Sequence, residues 1–329
     1  MSKNSMILVT GAGGQLGRRL VRRLVAEGYN VRAHYRSGEK AKRLCPNGVN
    51  FVLGDLLETS WLTRAAIGCD YVIHSAARVS VRPLNSADTE YMYRVNVEGT
   101  RLVVEACREA GVKRLIYISS VAAVGASSDD TPIDETAPFN LAKYNLPYFG
   151  TKHEAEQIAL AANGNDLEVI ALAPSIMISI PDRPMTERDL KKIPKRIPVY
   201  FDFGLNLVET EDVIEAIISA IDKGTPGHRY ILAGDNIDPA KAFAIAGKYF
   251  GIKKPFIKIP YWMLYLTGAV MELIYVFRNK KPRFNRAIAH LAKLKFYYNC
   301  AKAKRELGFS PKTLDQSVAR IVEKLNINI

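Results

Sequence analysis

A short apolar run, Met6–Val9, breaks into a glycine cluster and resumes with apolar residues at Leu16, Leu20, Val21, Leu24 and Val25. A buried strand, a tight turn and an amphipathic helix in that order constrain the fold more than any other stretch. The turn Thr10-Gly11-Ala12-Gly13-Gly14-Gln15-Leu16-Gly17 has the spacing G-x-x-G-x-x-G. Gly11 lets the chain turn sharply, Gly14 lets backbone N–H groups approach a ligand, and Gly17 lets the helix pack closely on the strand. Partial positive charge at the start of the helix favours a diphosphate. The turn, with Gln15 and Leu16 inside it, therefore predicts a dinucleotide site.

Strand and helix then alternate. Asn30–Tyr35, Asn50–Leu53, Tyr71–His74, Arg114–Ser119 and Glu168–Ala173 read as strands, with helices near Thr89–Ala110 and from Pro147 to about Ala161. The expected class is α/β: a Rossmann-type doubly wound parallel sheet with a smaller, mostly helical C-terminal lobe. Residues 1–175, joined by about 207–235 (a helix over Glu209–Asp222 and a strand over His228–Leu232), make the sheet domain. Residues 176–206 and 236–329 make the substrate lobe; Pro181, Pro184, Pro194 and Pro198 mark its irregular start. Ligands of such sheets sit outside the carboxyl ends of the strands. There the chain carries Asp55 and Leu56, then Ser75, Ala76 and Ala77, then Ser119 and Ser120, then Pro174 and Ser175. Asp55 suits either an adenine edge or the cap of a turn. Arg36 ends the second strand, and no acid occurs between Gly28 and Gly38. A cation at that point accommodates the 2′-phosphate of NADP, whereas an acid would bind the NAD ribose, so NADP(H) is favoured over NAD(H).

Tyr148 and Lys152 lie four apart on one helix and so share a face. A free phenol is a poor acid or base at neutrality, with a pKa near ~10. A neighbouring ammonium and the helix start that Pro147 marks both favour the phenolate. Such a tyrosine is suited to passing a proton to or from a carbonyl or alcohol oxygen, with Ser120 holding that oxygen and Lys152 reaching a cofactor ribose. In isolation Y-x-x-x-K is a common surface pair; its place after the fifth strand, behind a dinucleotide turn, gives it meaning.

These motifs together resemble the extended short-chain dehydrogenases/reductases of the NAD-dependent epimerase/dehydratase superfamily, over nearly the whole chain. The resemblance implies that Thr10–Gly17 is the cofactor loop and that Tyr148, Lys152 and Ser120 are catalytic. Asn96, in Val95-Asn96-Val97-Glu98-Gly99-Thr100, matches the asparagine supporting a proton relay through the lysine. Gly54-Asp55-Leu56 is similar to the adenine contact, and Ser75-Ala76-Ala77 to the strand end that backs the cofactor. Val31–Arg36 resembles dihydroflavonol reductases, whose matching arginine takes the NADP phosphate. Tyr230–Gly234 and Ala303–Phe309 resemble landmarks of that group and of 3β-hydroxysteroid dehydrogenases. The chain departs from the pattern at Ala173, where many relatives carry arginine, which weakens a sugar-nucleotide reading; Thr151 replaces the usual serine.

The implied reaction is hydride transfer between a nicotinamide and a ketone or alcohol carbon of a hydrophobic, steroid- or flavonoid-like molecule. The alternatives are a sugar-nucleotide epimerase or dehydratase with tightly bound NAD(P), and a non-catalytic NADP(H)-sensing protein, although sensors of that kind typically lose the tyrosine–lysine pair. Four scattered cysteines predict a reduced, cytoplasmic protein, and five histidines without ligand spacing predict no metal. Net charge is +13, yet Gly251–Arg305 alone holds thirteen Lys/Arg against Glu272, so no general nucleic-acid affinity follows. Within this basic stretch (253–305) lie nineteen residues, Ile259–Phe277, with one charge. They read either as a helix packed on the substrate pocket or as a peripheral contact with the inner membrane surface, flanked by Lys253, Lys254, Lys258, Arg278, Lys280, Lys281, Arg283 and Arg286. A homodimer is expected by analogy with the family alone.

Overall fold

The computed structural model describes residues 4–181, 199–253, 257–276, 282 and 284–325. Most of the proline-rich start of the expected lobe, together with Lys254, Arg278, Lys280, Lys281 and Arg283, lies outside the described residues.

β1 (Met6–Thr10), β2 (Asn30–Tyr35), β3 (Asn50–Leu53), β4 (Tyr71–His74), β5 (Arg114–Ile118), β6 (Glu168–Pro174) and a later strand, β10 (Arg229–Leu232), form one parallel sheet. Its order is β10-β6-β5-β4-β1-β2-β3. The chain winds outward from β1 through β3, then crosses to β4 on the other side, so the order reverses between β1 and β4. The strands are apolar on both faces because helices cover both. Ile7 and Val9 bury with α1 (Gln15–Ala26) and the helix Thr210–Lys223 (α7), whereas Leu8 buries with α3 (Thr59–Ala66), α5 (Gly99–Glu109) and α6 (Pro147–Ala161).

The expected single helix over Thr89–Ala110 is three pieces. It starts earlier, as α4 (Ser86–Tyr93), because the Asn85 carboxamide accepts from the Asp88 N–H at 2.7 Å. A π-helical turn, Arg94–Glu98, then leads into α5. The extra residue of that turn carries Asn96 into the interior, where it is 2% exposed.

Three further strands, β7 (Ile176–Ile178), β9 (Leu205–Glu209) and β11 (Asp235–Ile237), make a small separate sheet, and β8 (Val199–Tyr200) pairs with β12 (Ile257–Lys258). The C-terminal part is helical: α8 (Pro239–Phe250), α9 (Tyr261–Val276), α10 (Arg286–Leu291), α11 (Ala301–Leu307) and α12 (Leu314–Lys324). Two details depart from the expected division. Residues 205–209 pair in the small sheet, and Ala303, Leu307 and Phe309 bury in the core under the large one, so the chain returns to the sheet domain before its end.

Candidate active site

Glycine dictates the geometry at the carboxyl end of β1. Gly11 has φ +74, and a Cβ there would lie 2.7 Å from the Ala76 backbone, so the turn rests directly on the end of β4. A Cβ on Gly17 would collide with the Gly11 carbonyl. Gly14 caps α1 with no side-chain hydrogen bond, and the first turn of α1 carries no acid, which leaves its positive end open to an anion. Leu16 is buried, while the Gln15 side chain donates to the Ser179 hydroxyl. Ser75 Oγ donates to the Thr10 carbonyl at 2.7 Å, with Ala76 and Ala77 following at the rim.

Two buried hydroxyls along this edge, Ser119 Oγ and Ser175 Oγ, have no hydrogen-bond partner among the described residues. Buried polar groups without partners are rare, and both follow strand ends (Ser175 directly after Pro174) where such sheets bind ligands. The glycine cradle, the bare helix start and these two hydroxyls fit a dinucleotide. Arg36 is exposed just beyond β2 and donates to the Tyr91 hydroxyl at 2.5 Å. Asp55 is bonded as the cap of a turn: its Oδ1 accepts from the Leu57 N–H at 3.0 Å, and Leu56 buries beside it.

Tyr148 lies in the first turn of α6, directly after Pro147, and is 9% exposed. Burial pushes its phenol above the ordinary value, and a hydrogen bond with Ser120 acts in the opposite direction. Ser120 holds its position by accepting from the Ala122 N–H at 3.2 Å. Around the phenol pack Met92, Ala122, Leu141, Leu146 and Phe149, with Ala287, Ile288 and Leu291 reaching in from the α10 region.

Lys152 is 2% exposed and is aimed at β5, not at the Tyr148 hydroxyl: its Nζ donates to Tyr117 Oη at 2.9 Å and to the Ile118 carbonyl at 2.8 Å. The expected lowering of the tyrosine by this ammonium is therefore not seen; Ser120 supplies the counter-effect to burial. Desolvation brings the lysine itself down to about 7, against the opposing charge of Glu156 one turn later. Glu156 is fully buried and paired with Arg229 at 2.6 Å.

Asn96 does not reach Lys152 either. Its carboxamide clamps the Arg78 backbone, accepting from N–H at 2.8 Å and donating to C=O at 3.0 Å, and it donates to Thr151 Oγ1 at 3.1 Å. Thr151 in turn donates to the Tyr148 carbonyl at 3.1 Å, so the residue where serine is usual ties the π-turn to the first turn of α6.

The residues that sequence reasoning missed lie beneath the lysine. Thr10, His74 and Tyr117 are paired in register across β1, β4 and β5 and form one polar row. Thr10 Oγ1 lies 2.7 Å from His74 Nδ1, and His74 Nε2 lies 3.3 Å from Thr100 Oγ1. Thr100 gives its only proton to the Asn96 carbonyl at 2.6 Å, so His74 Nε2 must donate to Thr100 and Nδ1 must accept from Thr10. Lys152 thus rests on the hydroxyl of Tyr117, the last member of this row. Burial, with Lys152 nearby, drives His74 down to about 3, leaving it neutral. A signal existed: polar residues in strands buried on both faces must find partners.

Comparison with known proteins identifies the family. Residues 7–233 match the NAD dependent epimerase/dehydratase family. The chain is 32% identical to a putative dihydroflavonol 4-reductase of Synechocystis sp., over 95% of this chain and 92% of that one. It is 29% identical to a 4-hydroxy-2-methyl-3-oxo-4-farnesyl-3,4-dihydroquinoline-1-oxide ketoreductase of Stigmatella aurantiaca, over 94% and 92%. Among solved structures, that of gox2253 superposes with a TM-score of 0.78 at 31% identity, covering 98% of each chain. With its glycine turn, its Tyr148/Lys152 helix and a match spanning most of its length, the chain belongs to the NAD-dependent epimerase/dehydratase family, as an extended short-chain dehydrogenase/reductase.

Proposed function

We propose that the protein is an NADP(H)-dependent oxidoreductase acting on a ketone or alcohol carbon of a hydrophobic, steroid- or flavonoid-like small molecule. One observation carries this reading: a buried phenol beside Ser120 packs into a cluster of apolar side chains, near a strand edge where two buried serine hydroxyls have no partner among the described residues. The names of the reductase and ketoreductase relatives support the same chemistry and a lipophilic substrate.

When bound, the nicotinamide would supply or accept the hydride. The turn Gly11–Gly17 and the start of α1 would hold its diphosphate, and Ser119 and Ser175 would offer hydroxyls along the strand ends. Arg36 would pair with a 2′-phosphate. Ser120 polarises the substrate oxygen while Tyr148 passes it a proton, and the apolar side chains around them exclude water. Lys152, fixed from below by Tyr117 and Ile118, supplies positive charge to the site.

The test is oxidation of NADPH by the purified protein across a panel of hydrophobic ketones. We expect net turnover, reduced about 100-fold or more by Tyr148→Phe with cofactor affinity retained. Arg36→Glu should shift the ratio of kcat/KM for NADPH over NADH by about tenfold or more toward NADH. A sugar-nucleotide epimerisation that leaves NADPH unchanged, or a Tyr148→Phe variant as active as the parent, would overturn the reading.

A further inference from the structure

The helix α9 is built the opposite way from an ordinary surface helix. Tyr261, Gly268 and Glu272 face the protein: the Tyr261 hydroxyl bonds His290 Nδ1 at 2.8 Å, Gly268 lies against the Asn285–Arg286 backbone, and Glu272 pairs with Arg286 at 2.7 Å. The outward face carries Trp262, Met263, Leu266, Val270, Leu273 and Ile274, all exposed, with Trp262 and Leu273 above 60%. Their spacing places them on one stripe of the helix. A soluble helix turns such a stripe to the core, and monomers rarely leave so large a contiguous apolar patch in water.

Charge decides what covers it. Gly251–Arg305 carries thirteen Lys/Arg and one acid, and that acid, Glu272, is neutralised by Arg286. Lys253 is exposed before the helix, and Lys258, also before it, has a half-exposed side chain that shares Asp202 with Lys295. A second copy packed on this face by two-fold symmetry would bring together two copies of a segment that carries +12 in sequence, which opposes dimerisation there. An anionic lipid surface instead matches both the apolar stripe and the basic segment of the chain that contains it. The helix has sixteen residues, about 24 Å at the α-helical rise, and no described helix is long and apolar enough to cross a membrane. It therefore suits the headgroup plane, with Trp262 near one end.

We propose that the outer face of α9 docks on anionic membrane lipid, with the helix lying flat in the interface. The proposal is independent of the reaction assigned above. The test is sedimentation of the full-length protein with phosphatidylcholine vesicles, with and without phosphatidylglycerol, at low and high salt. We expect binding only to the anionic vesicles, weakened by salt, with a blue shift of tryptophan emission as Trp262 leaves water. The double variant L266D/L273D should lose about tenfold or more in vesicle affinity while keeping its melting temperature and cofactor binding. No binding, equal binding to neutral vesicles, or a variant that binds like the parent would each overturn the proposal. So would a dimer in sedimentation equilibrium that the double variant abolishes, since the face would then be a subunit interface.

Discussion

At the scale of single residues, Tyr117 is the side chain whose role is most easily measured. Its hydroxyl accepts from Lys152 Nζ at 2.9 Å, and its ring lies 4.6 Å from the same ammonium. Both contacts favour the charged lysine against the burial that brings it down to about 7. Tyr117→Phe keeps the ring and removes one acceptor. A hydrogen bond to a charged group is worth roughly 1.5–3 kcal/mol, so the lysine should lose about one pH unit or more of proton affinity. If catalysis needs the ammonium, kcat/KM falls as pH rises through that pKa, and the alkaline limb of the profile should move to lower pH in the variant. A loss that is merely structural would lower activity at every pH and leave the limb in place.

At the scale of elements, the turn between β1 and α1 makes the sharpest claim. Gly17→Ala places a methyl against the Gly11 carbonyl, and the neighbouring groups are backbone that cannot give way without moving α1 off the strand. We expect a loss of about 2 kcal/mol or more in denaturant unfolding, together with weaker NADPH binding in titration. A variant that keeps both would mean the turn tolerates a wider helix–strand spacing than the structure has. This turn was legible in the sequence because its requirement is local: glycine permits a backbone that no other residue does. The α6 pair was legible for the same reason, Pro147 opening the helix and a four-residue step setting the shared face. The π-turn was not legible. It exists because Asn96 satisfies the Arg78 backbone from the far side of the fold, and nothing within Arg94–Glu98 announces that partner. The direction of Lys152 was hidden likewise, since its two acceptors come from β5, more than thirty residues earlier.

At the scale of the whole molecule, the buried polar row makes stability depend on pH in a way the surface ion pairs do not. His74 and Lys152 are both held below their unfolded proton affinities, His74 at about 3 and Lys152 at about 7. Between about pH 3 and 6.5 the unfolded chain binds a proton on His74 that the folded protein refuses, so stability is lost as the solution is acidified through that window. Between about 7 and 10.4 the same argument applies to Lys152, and stability gained there is lost as pH falls toward 7. Each window has a limiting slope of about 1.4 kcal/mol per pH unit for one proton. Denaturant unfolding of the cofactor-free protein across pH separates the two. His74→Gln should flatten the acid window relative to the parent and leave the alkaline one, and Lys152→Met should do the reverse. Parallel curves for parent and variants would mean that neither group is held neutral by the fold, and the row beneath α6 would then have to be protonated or solvated. The sheet order makes that alternative costly, because Thr10, His74 and Tyr117 lie on three adjacent inner strands and all three are buried away from water.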